Sequence, residues 1–273
     1  MGTSSSSGGP PSGVPMVPPW VPDIPSDETP GAGLPQAPAP TPSPTPTIAP
    51  PNRFGGARRN LGDFARSGDA NSLRRGVGSY VRSGYGGAGT AVRRFGGAVS
   101  TAGMLYDALA LDAADQPVTA GTRIDPVLLR GKTAREVMDA VIEAVQPVDG
   151  TQDAEAGRAA IGDALSELLT RFPEADLLNL NDEERMFAVE RYVAFDVFRR
   201  FDLDLGKTIR DKAPSAATAL SRLKQVRDYI KETVAAAFRR LRQAATGVTS
   251  RRMEHLVRDA LRAAFDVFEA YAS

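Results

Sequence analysis

Apolar residues recur at the spacing of one helical face along about the last 150 residues of the chain, from Ile124 to Ser273. In the last such segment, Met253, Leu256 and Val257 begin an apolar stripe that continues to Phe268, while charged residues fill the positions between. Side chains three or four positions apart share one face of an α-helix, so this pattern predicts helices with one buried side. No alternating apolar and polar stretch indicates a sheet. The pattern therefore predicts an all-α fold, with a bundle of about five helices over residues 124–273.

Capping signals place the starts of several of these helices. Thr133 with Glu136, and Asn181 with Glu184, have the spacing of a capping box. The helix after Asn181 is apolar over a wide arc and is predicted to be the central one. The next helix opens near Pro214, and its apolar residues are predicted to point inward: Leu220, Leu223, Val226, Ile230, Val234, Phe238 and Leu241.

The first 52 residues have a different composition. Sixteen of the 21 prolines fall between Pro10 and Pro51, and residues 1–50 contain no Lys or Arg. Proline lacks a backbone donor and fixes φ, so polyproline II and extended coil are favoured and no core can form. Residues 1–52 are therefore predicted to be a disordered arm. It is either a semi-rigid spacer or a docking peptide whose apolar anchors include Trp20.

Residues 53–123 are rich in glycine and arginine and contain an internal repeat. RRNLGDFARSG at 58–68 realigns with RRGVGSYVRSG at 74–84, a period of 16 residues, and residues 51–110 hold nine Arg against three Asp. Two glycine-rich copies are too few to support themselves, so this segment is predicted to be partly ordered or to order on a partner. Arginine forks bind phosphate or carboxylate, and interleaved aromatic rings stack on bases. The candidate partner or nucleic-acid contacts are Trp20, Arg58, Arg59, Phe64, Arg66, Arg74, Arg75, Tyr80, Arg82, Arg93 and Arg94; an acidic protein groove and a solvated linker remain open alternatives.

Few residue types suited to catalysis are present. Cysteine is absent and His255 is the single histidine, which excludes disulfides, thiolate chemistry and multi-histidine metal sites. GYGGAG at 84–89 fits G-x-G-x-x-G, but the residues before it are too polar for the buried strand that a dinucleotide site needs. The sequence predicts no catalytic residue, cofactor or metal. Since no long apolar run or secretory signal is found, a cytoplasmic protein without membrane association is expected.

The first residues contain a candidate for modification. A small residue follows Met1, so methionine removal is expected to expose Gly2 as a free α-amine on a Ser/Gly tether. An amine with a pKa near about 8 is a usable nucleophile once an enzyme orients and deprotonates it. The N-myristoylation pattern, with Ser6, and an arbitrary terminus are the alternatives.

Several motifs together resemble a known family. They are the MGTSSSSGG start, PMVPPWVPD, RFGGARRNLGDFARSG with its second copy, RRFGGAVSTAG, and ERYVAFDVFRRFDLDLGKTIRDKAPSAATALSRLKQVRDYI. In these the chain resembles the QatB family, associated proteins of the four-component Qat anti-phage defence system. The resemblance implies a non-enzymatic component beside an ATPase (QatA), a QueC-like enzyme (QatC) and a TatD-like nuclease (QatD). It also implies that Gly2 is the residue to which the QueC-like enzyme joins a deazapurine.

Two hypotheses for function follow. The first is an adaptor and protein substrate of the defence complex, modified at Gly2. The second is a nucleic-acid-binding accessory protein that acts through the Gly/Arg-rich repeat, whose affinity would fall steeply with salt.

Overall fold

A computed structural model of the protein describes residues 15–17, 48–110, 124–242 and 249–272. These residues form α1 (Gly55–Ser67), α2 (Ala70–Ser79), α3 (Ala88–Arg94), α4 (Gly96–Ala108), α5 (Pro126–Leu129), α6 (Ala134–Val145), α7 (Gln152–Arg171), α8 (Asp182–Phe201), α9 (Lys207–Lys212), α10 (Ala216–Arg242) and α11 (Ser250–Glu269). A first π-helical turn, Tyr80–Gly84, follows α2, and a second, Asp202–Gly206, follows α8. The one β-bridge among the described residues is an isolated antiparallel pair between Pro15 and Ile48. The all-α fold class is confirmed.

The predicted capping boxes are present at the starts of α6 and α8. The Thr133 hydroxyl accepts from the Glu136 amide, and the Glu136 carboxylate accepts from the Thr133 amide. Asn181 and Glu184 make the same reciprocal pair. Each box satisfies two of the amides that a helix start leaves without an internal partner, so these boundaries were correctly predicted from sequence.

Helix α8 lies at the centre, as its wide apolar arc predicted, and packs against α4, α7 and α10. Its buried residues run from Met186 to Phe201 and cover more than one face. Helix α11 packs against α2, α3, α4 and α10, with Met253, Leu261 and Phe265 almost fully enclosed. A helix with several neighbours needs apolar residues on several sides, which explains the breadth of the arc on α8.

One inward position on α10 was predicted incorrectly. Leu220 is 70% exposed, whereas Ala219, one residue earlier, is buried with Leu223 and Val226. Residues 219, 223 and 226 share a face at helical spacing, and a leucine at 220 lies one-quarter turn or more away from it. The larger side chain therefore points to solvent, and the smaller one occupies the contact.

Residues 54–109 of the Gly/Arg-rich segment are ordered within this chain. Helices α1 to α4 are part of the same hydrophobic core as the C-terminal helices, with Phe64, Leu105 and Phe265 all in one cluster. Helix α1 packs on α9 and α10, and α2, α3 and α4 pack on α11. The sequence predicts that residues 53–123 are partly ordered or depend on a partner; in the structure, residues 54–109 are ordered and share the core of the helical domain that was predicted to begin at residue 124. The predicted arm, residues 1–52, lies outside the described residues apart from 15–17 and 48–52.

The glycines of this segment explain why its helices were not predicted from the sequence. A Cβ built on Gly76 would lie 2.7 Å from the Leu61 side chain, and one on Gly78 would lie 2.6 Å from the Phe268 carbonyl oxygen. These glycines stand where α2 approaches α1 and the end of α11 more closely than any side chain would permit. Glycine here stabilises helix packing, although in isolation it disfavours a helix.

Candidate partner interface at the arginine-rich end

The two aromatic residues of the repeat are not available to a partner. Phe64 is fully buried and Tyr80 is 2% exposed. The Tyr80 ring centroid lies 5.7 Å from that of Phe54 and 5.2 Å from that of Phe201. Rings enclosed in this way cannot stack on bases, so that part of the nucleic-acid prediction is wrong for Phe64 and Tyr80. The repeat instead gives α1 and the π turn that follows α2 one large core residue each.

The arginines of the repeat divide into paired and exposed ones. Arg66 pairs with Asp63 at 2.6 Å, and Arg94 with Asp153 at 3.2 Å, while Arg58 is half-buried. The exposed ones without a carboxylate at ion-pair distance, within the part of the chain that the structure describes, are Arg59, Arg74, Arg75, Arg82 and Arg93. The first four of these lie on α1, α2 and the first π turn and are called the hairpin arginines below.

Two side-chain contacts fix the surroundings of the hairpin arginines. The Asn60 amide donates to the Ser79 hydroxyl at 3.5 Å, which sets the register of α1 against α2. The Arg74 guanidinium lies 5.6 Å from the Tyr271 ring centroid, so it stacks on the end of α11. Arg75 and Arg82 follow at helical spacing on the exposed side of α2 and the π turn. The positive charges are therefore carried by a rigid, packed element.

A groove beside Arg82 is partly walled by the N-terminal segment. It encloses about 550 Å³ and is lined by residues that include Met16, Ile48, Pro50, Arg53, Arg82 and Gly86. We call it the anchor groove. Met16 is 4% exposed, and its neighbour Pro15 forms the bridge to Ile48. Residues 15–17 and 48–50 thus lie side by side against the turn that precedes α3.

The glycines of GYGGAG form this turn. Gly86 and Gly87 have φ values of +75° and +96°, which side-chain-bearing residues rarely adopt. A Cβ on Gly86 would lie 2.8 Å from the Met16 sulfur. The Ala88 amide at the start of α3 donates to the Glu269 carboxylate at 2.8 Å, so an acid of α11 already occupies this helix start. The motif builds a turn and a Met16 contact.

Arg53 closes the inner side of the anchor groove. It is 8% exposed, and its guanidinium carbon lies 4.7 Å from the Phe54 ring centroid and 6.0 Å from that of Tyr85. These are cation–π distances. Among the described residues its Nε has no hydrogen-bond partner. Arg53 therefore adds a nearly buried positive charge to the same end of the molecule.

A hydrogen-bonded cluster beneath the groove joins the two π turns. Tyr80 and Tyr85 both donate to Oδ2 of Asp204, at 3.0 and 2.9 Å. Burial raises the pKa of Asp204, and the two hydroxyl donors and the charges of Arg53 and Arg94 oppose that rise. Burial also raises the pKa of both tyrosines, so they act as donors at neutral pH. The cluster holds the first π turn in place against the segment after α8.

A second polar group links α3 to α7 and α8. Asp153 accepts from Arg94 at 3.2 Å and from Arg200 at 3.1 Å, and Arg200 also bonds Asp196 at 3.0 Å. Asp196 is 1% exposed; burial raises its pKa, and the Arg200 charge opposes this. The guanidinium of Arg200 also lies 5.0 Å from the Phe95 ring centroid. Arg94, predicted to contact a partner, instead forms part of this internal network.

Within the described ranges, no group of three or more acidic, histidine or cysteine side chains is placed to hold a metal ion. None of the described helices is long and apolar enough to cross a membrane. Gly2, the predicted modification site, and Trp20, a predicted contact residue, lie outside the described residues.

Comparison with known families assigns the chain. The profile described as "Qat anti-phage system associated protein QatB" matches residues 86–268, which is 183 of the 273 residues. The chain belongs to the QatB family. No protein with a curated description and no solved structure matches it significantly.

The matched range of this QatB-family protein begins at Gly86 in the turn before α3. It therefore unites α3 and α4 with the C-terminal helices, in agreement with their shared core. The α1–α2 pair and the Met16 segment precede the match. The family assignment places the protein in the Qat anti-phage system.

Sequence reasoning missed Met16, Gly86 and Asp204. Met16 lies in the PMVPPWVPD motif, which belongs to the predicted disordered arm. Gly86 lies in GYGGAG, a motif that the sequence analysis considers only as a dinucleotide-binding pattern. The aspartates of FDLDLG at 201–206 carry no signal that one of them meets two tyrosines some 120 positions earlier. A large apolar residue inside a proline-rich run was the available clue to Met16.

Proposed function

We propose that this QatB-family protein is a non-enzymatic adaptor and protein substrate of the Qat anti-phage system. The helical domain docks on a partner, and the α-amine of Gly2 is acylated by a QueC-like enzyme. The observation that carries the docking role is the set of hairpin arginines, which are exposed and have no carboxylate partner among the described residues. Arg82 also lines the anchor groove, where the N-terminal segment meets the domain.

The proposed reaction is an acyl transfer. ATP adenylates a deazapurine carboxylate on the enzyme, and the Gly2 nitrogen then attacks the carboxyl carbon. A C–N amide bond forms, the bond from that carbon to the AMP oxygen breaks, and AMP leaves with the electron pair. The amine proton passes to a base of the enzyme or to water. The protein contributes the nucleophile, the α-amine of Gly2. An α-amine has a pKa of about 8, so a fraction of the Gly2 amines is deprotonated at neutral pH.

Intact-mass measurement tests the modification. The protein is produced with and without the QueC-like partner, together with Gly2→Glu, which prevents methionine removal, and Gly2→Ala, which permits it. We expect an added acyl mass on the N-terminal peptide of the parent protein and none on Gly2→Glu; Gly2→Ala reports whether the enzyme needs glycine. An unchanged Gly2 peptide in the presence of active partner would contradict the substrate role.

Charge reversal tests the docking role. Arg75→Glu with Arg82→Glu changes two hairpin arginines, and the matched control changes the exposed Arg239 and Arg240 on α10. Buried or desolvated charge contacts are worth enough for the first pair to weaken partner binding by roughly tenfold or more. Calorimetric titration with the purified QueC-like enzyme measures this. Equal affinities for the two double variants would exclude the hairpin surface as the dock.

Nucleic-acid binding is the second candidate, and the exposed arginines favour it. With Phe64 and Tyr80 buried, the contact would be to phosphate alone and would be independent of sequence. For single strands the logarithm of affinity would fall with the logarithm of salt concentration by about 0.7 for each phosphate neutralised. Fluorescence anisotropy with labelled single-stranded DNA and RNA measures this slope. Absence of binding at low salt would remove this candidate while leaving the adaptor proposal intact.

A further inference from the structure

Met16 joins the N-terminal segment to the helical domain far closer to Gly2 than the first helix does. We propose that Met16 is a positioning residue: it holds the N-terminal segment against the domain beside the anchor groove and thereby limits how far the Gly2 amine can lie from that groove. The inference rests on the proposed modification of Gly2. It adds the part of the chain that sets where the modifying enzyme must act.

The contacts of Met16 support an anchor. Its side chain is 4% exposed although it lies in a proline-rich run, and it sits against a turn that only glycine fits. The bridge from Pro15 to Ile48 fixes the backbone on the same side. Ala49, beside the bridge, is 2% exposed. Residues 15–17 and 48–50, which have thirty residues between them in the sequence, therefore both lie against the turn that precedes α3.

The anchor sets the reach of Gly2. Gly2 lies fourteen positions before Met16 in the sequence. A fully extended chain spans at most about 3.6 Å per residue, so the amine lies within about 50 Å of the groove. Of the hairpin arginines, Arg82 lines this groove. An enzyme that modifies Gly2 must therefore bring its catalytic centre within about 50 Å of this groove, and an acidic rim facing Arg82 would favour docking on that side.

Loss of the anchor has a calculable effect. Without it, the tether would run from Gly2 to Phe54, which is 52 residues. For a coil-like tether the effective concentration falls as roughly the −3/2 power of length, so the longer tether lowers it about sevenfold. The apparent KM for the protein as substrate should rise by about this factor. The kcat should stay constant, because the nucleophile and the enzyme are unchanged.

Methionine oxidation tests the anchor in the isolated full-length protein. Met16 should react with peroxide much more slowly than Met104, which is 38% exposed, and at a rate closer to that of the fully buried Met253. Gly86→Val should raise the Met16 rate to that of Met104 without changing the Met253 rate. If Met16 in the unaltered protein oxidises as fast as Met104, the anchor does not exist in solution.

Kinetics of modification test the positioning role. Met16→Lys places a cation beside Arg53 and Arg82 and should release the segment, whereas Met16→Leu should retain it; Met104→Lys is the matched control. We expect a higher KM for Met16→Lys alone, with unchanged kcat and unchanged melting temperature. An unchanged KM would overturn the inference. Should the parent protein not be modified at all, the substrate proposal fails, while the oxidation rates still report the anchor.

Discussion

Helix α11 and the α1–α2 hairpin are both arginine-bearing helices of one core, yet only α11 is recognisable from its sequence. In α11 a broad apolar stripe alternates with charges, and Arg262 pairs with Asp266 on the exposed side at 3.1 Å. In the hairpin, glycines interrupt the stripe, and the hairpin arginines have no such carboxylate among the described residues. The comparison shows that a helix can be closely packed whether or not its charged side chains form ion pairs. The hairpin packs on the core as α11 does, but its four hairpin arginines are exposed and have no ion-pair partner among the described residues.

The largest expected effect tests whether both regions share one core. Phe64→Ala in the hairpin and Phe265→Ala in α11 each remove a fully enclosed ring. Each should lower the free energy of unfolding by about 4 kcal/mol, within a single transition. Urea denaturation followed by circular dichroism measures both. A Phe64→Ala protein with unaltered stability would separate the hairpin from the core.

The second prediction concerns the glycines that distinguish the hairpin from α11. Gly78→Val places a side chain against the Phe268 carbonyl oxygen, where a Cβ would lie at 2.6 Å, and should cost about 3 kcal/mol. Gly97→Ala on α4 is the matched control, because no atom lies within 4 Å of its added Cβ. That control should stabilise the protein by up to about 1 kcal/mol, since alanine favours a helix. Melting temperatures of the two variants should thus move in opposite directions.

The third prediction concerns Asp204, which ties the hairpin side to the turn after α8. Asp204→Ala removes the acceptor of two buried hydroxyls and should cost about 2 kcal/mol. Asp204→Asn keeps an acceptor oxygen and should cost less. Because the folded state raises the pKa of Asp204, its contribution is fully present below the ordinary value of 3.8 and is lost as pH rises through the folded-state pKa.

The advantage of the parent protein over Asp204→Asn should therefore be greatest at low pH and shrink towards neutral pH. Urea titrations at a series of pH values from about 3.5 to 7 measure the difference. A difference that grows with pH would show that the carboxylate is stabilised in its ionised form by Arg53 and Arg94.

The smallest effect compares the charges themselves. Arg262→Ala removes an exposed pair four residues apart on α11 and should cost about 0.3–0.5 kcal/mol, less at high salt. Arg82→Ala removes an exposed arginine of the hairpin and should leave stability nearly unchanged. Chemical denaturation at low and high salt measures both. A clear loss of stability for Arg82→Ala would assign this arginine a structural role and weaken the docking proposal.

Local signals predicted the C-terminal helices, because each such signal involves residues only a few positions apart in the sequence. The reciprocal bonds of Thr133 and Glu136 join residues three apart, and the stripe of α11 repeats every three or four positions. The helices of the hairpin could not be predicted in this way, because the residues that they pack against lie far away in the sequence. Gly78 is needed in α2 because the Phe268 carbonyl oxygen lies where a Cβ would stand. Met16 and Gly86 were missed for the same reason, because their contacts join distant parts of the chain.

The sequence by itself determined the all-α class, the caps of α6 and α8 and the excess of arginine over residues 51–110, because propensity, hydrogen-bonding side chains and charge act over short distances along the chain. The tertiary structure alone decided that Phe64 and Tyr80 are core residues, that Arg94 is an internal ion-pair partner while Arg82 is exposed, and that Met16 is enclosed. Burial depends on which distant segment supplies the facing surface, and that is settled only when the helices pack.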